Sequence, residues 1–165
     1  MNYHDITHDD MKNGDGLRVV LWTAGCSHGC EGCQNPVTWD PEGGLPFDEA
    51  ARQEVFSQLE KPYISGITFS GGDPMEPCNL LEVRALALEI RERFPDKTIW
   101  VYTGRKWEDV KDDPLMKCTD VLVDGPFEIA LKDNLLRWKG SKNQRVIDVP
   151  ESLEMGRVVI HCPEY

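Results

Sequence analysis

Three cysteines stand close together near the start of the chain, in the stretch GCSHGCEGCQNP at residues 25–36. Cys26, Cys30 and Cys33 are separated by three and then by two residues, and no fourth cysteine lies nearby in the sequence. Thiolates are the ligands that soft metal ions and iron–sulfur clusters prefer. The spacing therefore predicts a site for a metal ion or a cluster in which these three cysteines are ligands and no fourth cysteine lies nearby in the sequence.

Two kinds of site remain open for these ligands. A structural zinc ion takes four protein ligands, but His28 is expected to be an exposed loop residue because loops are mostly solvated. A catalytic zinc ion with three ligands stays possible. A cubane of four irons held by three thiolates leaves one iron free for a further ligand, and Gly25, Gly29 and Gly32 permit the backbone angles that a loop around it needs.

The other three cysteines, Cys78, Cys118 and Cys162, are isolated in the sequence. Each is expected to be a small buried apolar side chain. The N-terminal residues MNYHDITHDDMKNGDG are polar and acidic, unlike a signal peptide. We therefore expect a cytoplasmic protein with reduced thiols rather than a disulfide framework.

Length and charge narrow the class of protein. A chain of 165 residues with 40% hydrophobic and 28% charged residues is typical of one soluble domain, here taken as residues 1–165. The net charge of −11, without a basic run, argues against binding to nucleic acid or to an anionic membrane surface. No apolar stretch approaches the ~20 residues that a spanning helix needs.

Strand-like and helix-like segments alternate along the chain. Strands are predicted at 17–23, 67–70, 98–103, 120–124, 145–149 and 157–161, where β-branched and aromatic residues are concentrated. Helices are predicted at 47–60, capped by Asp48, and at 79–94, capped by Asn79, with a short helix at 106–112. This alternation predicts an α/β fold with a parallel sheet.

The distinctive stretches follow the predicted strands. The cysteine loop follows the first strand, and SGGDP, YTG and VDGP come at the ends of the next three. Because ligands of parallel sheets gather at the carboxyl ends of the strands, we expect these stretches to build one site.

The C-x3-C-x2-C motif after a first strand resembles the radical S-adenosylmethionine (SAM) superfamily. More narrowly, the chain resembles the family of anaerobic ribonucleoside-triphosphate reductase-activating proteins. The resemblance extends over nearly the whole chain, through DITHDDMKNGDGLRVVLWTAGCSHGCEGCQNP, ITFSGGDP, WVYTG, DVLVDGPFE and WKGSKNQRVIDV. The last block is the most specific, because the wider superfamily does not share it.

This resemblance implies a fold, an activity and partners. The fold would be a partial open (βα) barrel of mostly parallel strands, shorter than a full barrel of ~250 residues. A 4Fe-4S cluster would cleave SAM reductively, and the resulting 5′-deoxyadenosyl radical would take a hydrogen from a glycine of the anaerobic ribonucleotide reductase. The partners would be that glycyl radical subunit and an electron donor such as flavodoxin. The cofactor does the chemistry, so no side chain is expected to be catalytic.

The resemblance also assigns the site residues. The three clustered cysteines, Cys26, Cys30 and Cys33, would bind the cluster. Gly71, Gly72 and Asp73 would bind the methionine amino group of SAM, since carbonyls and a carboxylate at a strand end accept hydrogen bonds from an ammonium group. Thr103 and Asp124 would lie near the SAM carboxylate or a bound cation, although a strand-capping role fits them equally well.

Two further stretches and two alternative functions remain open. Asn35 is expected to bond a cluster sulfur, to orient the loop, or only to form the turn before Pro36. The stretch 139–145 is expected near the site or the partner surface. A radical SAM enzyme that acts on a small molecule, such as a deazapurine synthase, would share the cluster and SGGDP. A non-enzymatic zinc or iron–sulfur module would share only the cysteines.

Overall fold

A computed structural model, which describes residues 1–162, contains a seven-stranded sheet. Along the sheet the strands lie in the order β3-β1-β2-β4-β5-β6-β7. Their bounds are Asn2–Asp10 (β1), Leu17–Thr23 (β2), Leu45–Pro46 (β3), Ile64–Gly71 (β4), Thr98–Tyr102 (β5), Val121–Asp124 (β6) and Arg145–Asp148 (β7). The four strands β2, β4, β5 and β6 form a parallel centre, and antiparallel strands extend it on both sides. The predicted α/β class is confirmed.

In the part of the chain that the structure describes, four α-helices accompany the sheet: Glu49–Leu59 (α1), Pro77–Arg93 (α2), Trp107–Val110 (α3) and Val149–Met155 (α4). The predicted cap of α1 is confirmed, because the Asp48 side chain accepts a hydrogen bond from the Ala51 amide at 2.9 Å. The predicted cap of α2 is wrong. That helix begins at Pro77, a residue suited to the first turn because it lacks an amide hydrogen. Asn79 lies buried inside the turn.

The sheet has two differently covered faces. Alternate residues of β5 point to opposite sides: Ile99 and Val101 join the main core with α1 and α2, whereas Trp100 joins a smaller cluster on the other face. The period of two along a strand produces this division. Because the helices cover the first face, the second face is left for the site.

Arg18 lies fully buried on that second face. Its guanidinium donates to the Thr68 hydroxyl at 2.9 Å, to the Thr98 hydroxyl at 2.8 Å and to the Ile67 carbonyl at 2.7 Å. Burial lowers the pKa of this guanidinium to about 10. With its donors satisfied by neutral oxygens, Arg18 connects three central strands.

Several segments differ from the sequence-based predictions. Strand β1 was not predicted. Its residues are mostly half-buried or exposed, and its polar sequence therefore lacks the apolar residues by which a strand is recognised. The strand predicted at 157–161 is wrong: only one bridge, between Ile147 and Ile160, forms there. Cys78 and Cys162 are exposed rather than buried, whereas Cys118 is partly buried against the main core. Within residues 1–162, no helix combines the length and apolarity that crossing a membrane requires.

Candidate functional site

A pocket of about 580 Å³ opens where the parallel strands end. Cys26, Cys30 and Cys33 all line it. Gly71 and Gly72 at the end of β4 line it too, as do Thr103 after β5 and Gly125 after β6. The stretches that the sequence places at one sheet edge therefore meet in one cavity.

The cysteine loop is attached to the residues that follow it. The Gly25 amide donates to the Thr38 carbonyl at 2.7 Å, and the Cys26 amide donates to the Trp39 carbonyl at 3.1 Å. All three glycines of the loop have positive φ, between +59° and +104°, as their predicted role requires. The sequence thus allows this loop to turn back on itself beside the pocket.

The three cysteine sulfurs do not form the close group that a single zinc ion needs. In residues 1–162, the group of metal-ligand atoms that all lie within 4.8 Å of one another consists of Cys26, His28 and Glu76, and not of the three cysteines. A single zinc ion with Zn–S bonds of about 2.3 Å would need sulfurs only about 3.8 Å apart. A multi-iron cluster, whose irons each take one thiolate, does not need sulfurs that close. The arrangement of the loop is therefore compatible with a cluster.

The surroundings of Cys26 favour the thiol over the thiolate. Burial raises the pKa of the Cys26 thiol to about 11, so the free thiol is protonated at neutral pH. Binding a cluster must displace this proton, since thiolates are the ligands. The Asn35 amide donates to Cys33 Sγ at 3.4 Å, so Asn35 does contact a candidate ligand sulfur, but through its backbone.

The SGGDP turn packs against the cysteine loop backbone to backbone. The Asp73 amide donates to the Gly25 carbonyl at 2.8 Å, and the Gly72 amide donates to the Thr23 carbonyl at 2.8 Å. A side chain at position 72 would begin 2.4 Å from the Gly25 oxygen, so only glycine fits. This close contact fixes the turn relative to the loop that carries Cys26.

The Asp73 carboxylate is almost fully buried and collects donors from several segments. Its Oδ2 accepts hydrogen bonds from His28 Nε2 (2.6 Å), Thr103 Oγ1 (2.9 Å), the Gly104 amide (3.0 Å) and Arg105 Nη1 (3.1 Å). Its Oδ1 accepts from the Met75 amide at 2.8 Å. A carboxylate offers about four lone-pair sites, so this one has little capacity for a further donor.

A second buried acid lies three residues further along the chain. The Glu76 carboxylate accepts hydrogen bonds from the Ser27 amide at 3.0 Å and from the Ser27 hydroxyl at 2.7 Å. Burial by itself would raise the pKa of Glu76, but the Ser27 bonds and the Arg105 charge outweigh it and lower that pKa. The hydrogen bond to Asp73 raises the pKa of His28. Glu76 and Asp73 thus hydrogen-bond to Ser27 and His28, the two residues that follow Cys26.

Asp124 lies at the same sheet edge but faces away from the pocket. Its buried carboxylate accepts from Arg145 Nε at 3.1 Å and Arg145 Nη2 at 2.5 Å, and from the Trp107 amide at 2.8 Å. The exposed Glu108 shares Arg145. In this arrangement Asp124 connects β6, β7 and α3, while the neighbouring Gly125 reaches the pocket.

The stretch 139–145, which the sequence predicts near the site or the partner surface, lies beside the pocket. Lys139, Gly140 and Gln144 line the cavity. The Gln144 side chain accepts from the Gly140 amide at 2.9 Å and donates to the Gly125 carbonyl at 3.1 Å. These bonds fold the stretch onto the end of β6, so it forms a wall of the pocket rather than a free loop.

Sequence reasoning missed the residues that connect the loops of this site. His28, Ser27, Glu76 and Arg105 pair across 29 to 49 positions of sequence. The weak signals were a histidine inside the cysteine run and an acid three residues after Asp73. The Asn79 side chain also bridges two segments, since it donates to the Ala24 carbonyl at 2.9 Å and to the Asp73 carbonyl at 3.0 Å.

Comparisons with known proteins agree with this geometry. Residues 12–147 match the family model described as a 4Fe-4S single cluster domain. A phage T4 protein is 45% identical over 146 residues, which cover 88% of this chain and 93% of the relative. Relatives from Escherichia coli K12 and Haemophilus influenzae Rd are 41% and 37% identical, over 88% and 87% of this chain and 97% and 96% of their own length. All three are named anaerobic ribonucleoside-triphosphate reductase-activating protein, and this chain belongs to that family.

Proposed function

We propose that this chain activates an anaerobic ribonucleotide reductase by generating a glycyl radical on it. The radical arises through reductive cleavage of SAM at a 4Fe-4S cluster. Family membership supports the target, and one observation carries the chemistry: three cysteines and the Gly71–Gly72 turn line the same pocket. A protein that only binds metal would not need the Gly71–Gly72 turn beside the cysteines.

Cys26, Cys30 and Cys33 are the proposed cluster ligands. Three thiolates for four irons leave one coordination position open, which answers why the motif stops at three. When bound, the cluster supplies an electron that cleaves SAM to methionine and a 5′-deoxyadenosyl radical. The protein holds the reactants together and excludes water.

The turn after β4 is the proposed site for the methionine end of SAM. The carbonyls of Gly71 and Gly72 are suited to accept from its ammonium group, since both residues line the pocket and lack side chains. Asp73 contributes by fixing this turn, because its oxygens are already occupied. Thr103 lines the pocket beside it, whereas Asp124 supports the wall through Arg145.

A polypeptide substrate suits the surroundings of the pocket. Exposed apolar side chains lie close to the cysteine loop: Val37 and Trp39 follow it in the sequence, Trp39 lines the pocket, and Ile129 packs over Gly32. Exposed apolar surface of this kind is typical of protein contacts. A small-molecule radical SAM enzyme, the alternative, would have less use for it.

The fold and setting of this activity are part of the proposal. We place residues 1–165 in one radical SAM domain, with the mixed sheet as a partial open barrel. An electron donor such as flavodoxin reduces the cluster. Cytoplasmic conditions suit the free thiols that the cluster needs.

Reconstitution with the partner tests this function. The protein is loaded anaerobically with iron and sulfide, and then mixed with a reductant, SAM and the cognate reductase. The expected result is a glycyl radical doublet in the electron paramagnetic resonance (EPR) spectrum, with 5′-deoxyadenosine formed beside it. A reductase whose radical glycine is replaced by alanine is the control and gives no doublet. If the wild-type reductase gives no radical while a purine-like small molecule drives 5′-deoxyadenosine release, the alternative function is correct.

A further inference from the structure

His28 lies inside the ligand run, between Cys26 and Cys30, and lines the same pocket as the cysteines, but its side chain hydrogen-bonds to the turn after β4. Its Nε2 donates to Asp73 Oδ2 at 2.6 Å, and its side chain is 21% exposed. The ring packs over Gly104, where an added Cβ would lie 2.5 Å from its Cδ2. His28 therefore contacts both the SGGDP turn and the residue that follows Thr103.

The cysteine loop has several other attachments, but they lie at its edges. The Asp73 amide holds the Gly25 carbonyl, and Asn79 holds the Ala24 carbonyl, both before the first cysteine. Ser27 is bonded to Glu76 directly after Cys26. Among the hydrogen bonds described for residues 1–162 that join this loop to other segments, the one from His28 lies furthest into the run, and its acceptor Asp73 also binds Thr103 and Gly104.

We propose that His28 is a positioning residue that sets the cluster at a fixed place relative to the methionine end of SAM. It acts through Asp73, by tying the ligand loop to the turn that binds the ammonium group and to the end of β5. The inference rests on the proposed function, and it adds a residue that neither the cysteine motif nor the SGGDP turn identifies. Loss of the hydrogen bond between His28 and Asp73 leaves the three thiolates in place, but the position of the cluster relative to SAM is then less well defined.

Three substitutions at His28 separate its possible roles. His28→Ala removes the hydrogen bond and the packing on Gly104. His28→Phe keeps a ring there but has no donor, and His28→Gln keeps a donor placed like Nε2. His8→Ala is the matched control, because His8 is an exposed histidine that pairs with an acid, Glu54, at 2.8 Å, away from the pocket.

The test uses the reconstituted full-length chain and measures three quantities. These are the iron and sulfide content, the SAM concentration that half-saturates the change in the EPR spectrum of the reduced cluster, and KM and kcat for 5′-deoxyadenosine formation. We expect His28→Ala and His28→Phe to keep wild-type iron and to need about ten- to a hundredfold more SAM, as the loss of a charge-assisted hydrogen bond predicts. His28→Gln recovers most of the difference, and His8→Ala behaves as wild type.

Each other outcome decides against the inference. Wild-type SAM dependence in His28→Phe shows that the hydrogen bond positions nothing. Loss of iron from His28→Ala, as expected for a cysteine variant, makes His28 an assembly residue instead. If His28→Gln is as impaired as His28→Phe, a side-chain donor at position 28 does not restore the geometry, and the proposed action through Asp73 is wrong. If wild-type protein shows no spectral change with SAM, the proposed function fails, and the inference fails with it.

Discussion

In a Gly72→Ala variant, the new methyl group meets backbone atoms that cannot rotate away. Its Cβ would lie 2.4 Å from the Gly25 oxygen and 2.9 Å from the Thr38 oxygen, where an ordinary contact begins at 3.4 Å. The φ of Gly72 lies outside the left-handed region, so the contact alone causes the strain. The cysteine loop must therefore move by roughly 1 Å relative to the turn.

The effect on activity should exceed the effect on stability. Overpacking of this kind costs about 1–3 kcal/mol of the free energy of unfolding, which a domain of ordinary stability survives. A misplacement of about 1 Å between reacting groups can cost about a hundredfold in rate. Since Gly25 precedes Cys26, the displaced segment is the one that carries the first ligand. We expect a folded protein that binds iron and forms 5′-deoxyadenosine about a hundredfold more slowly.

Gly156→Ala is the matched control. Gly156 ends α4 with φ +68°, and an added Cβ would meet nothing within 4 Å. An alanine in this left-handed conformation costs about 1–2 kcal/mol, so stability falls by a similar amount while the pocket is untouched. Urea unfolding, iron content and 5′-deoxyadenosine production are measured for both variants. Equal rates in the two would refute the idea that the contact between Gly72 and the loop sets the reacting geometry.

Three further predictions concern the ligands, the open iron and Asp124. Alanine at any of the three clustered cysteines abolishes iron binding and visible absorbance after anaerobic reconstitution, whereas alanine at an isolated cysteine does not; a cluster lost from Cys78→Ala would mean that the ligand set is wrong. The EPR spectrum of the reduced cluster changes when SAM is added, and an unchanged spectrum at saturating SAM would count against an open iron. Asp124→Ala lowers the free energy of unfolding by about 2–3 kcal/mol, because it removes the partner of Arg145 and of the Trp107 amide. Glu108, the exposed partner of Arg145, provides the comparison, since Glu108→Ala should lower the free energy of unfolding by at most about 1 kcal/mol. If urea unfolding gives similar losses for the two variants, the structural role assigned to Asp124 is wrong.

The central strands were predictable because burial on both faces leaves a plain signal. Strand β2 was placed at its observed residues 17–23, since its sequence is a run of β-branched and apolar residues. Strand β1 was missed for the opposite reason: it lies near the edge of the sheet, and five of its nine residues are charged or histidine. Only Ile6 of its nine residues is buried, so β1 lacks the apolar and polar alternation that a half-buried antiparallel strand usually shows.

Local capping rules predicted one helix start and failed at another. Asp48 has only its own helix to bond, and it caps α1 as the rule requires. Asn79 had distant partners, the Ala24 and Asp73 carbonyls, so its side chain turned toward them and left the cap to Glu76. A propensity measured within one helix carries no information about such partners.

The sequence predicted which segments meet at the site, but not what its most polar residue does there. SGGDP appears from the sequence as a turn that offers Asp73 to a ligand. In the structure the same carboxylate accepts from His28, Thr103 and Arg105, so its negative charge is used within the protein. This is a sensible use of a buried carboxylate, because an unpaired one would be costly. Under the proposed function the glycine carbonyls of the turn bind the ligand, and Asp73 holds the turn, the cysteine loop and the end of β5 together around it.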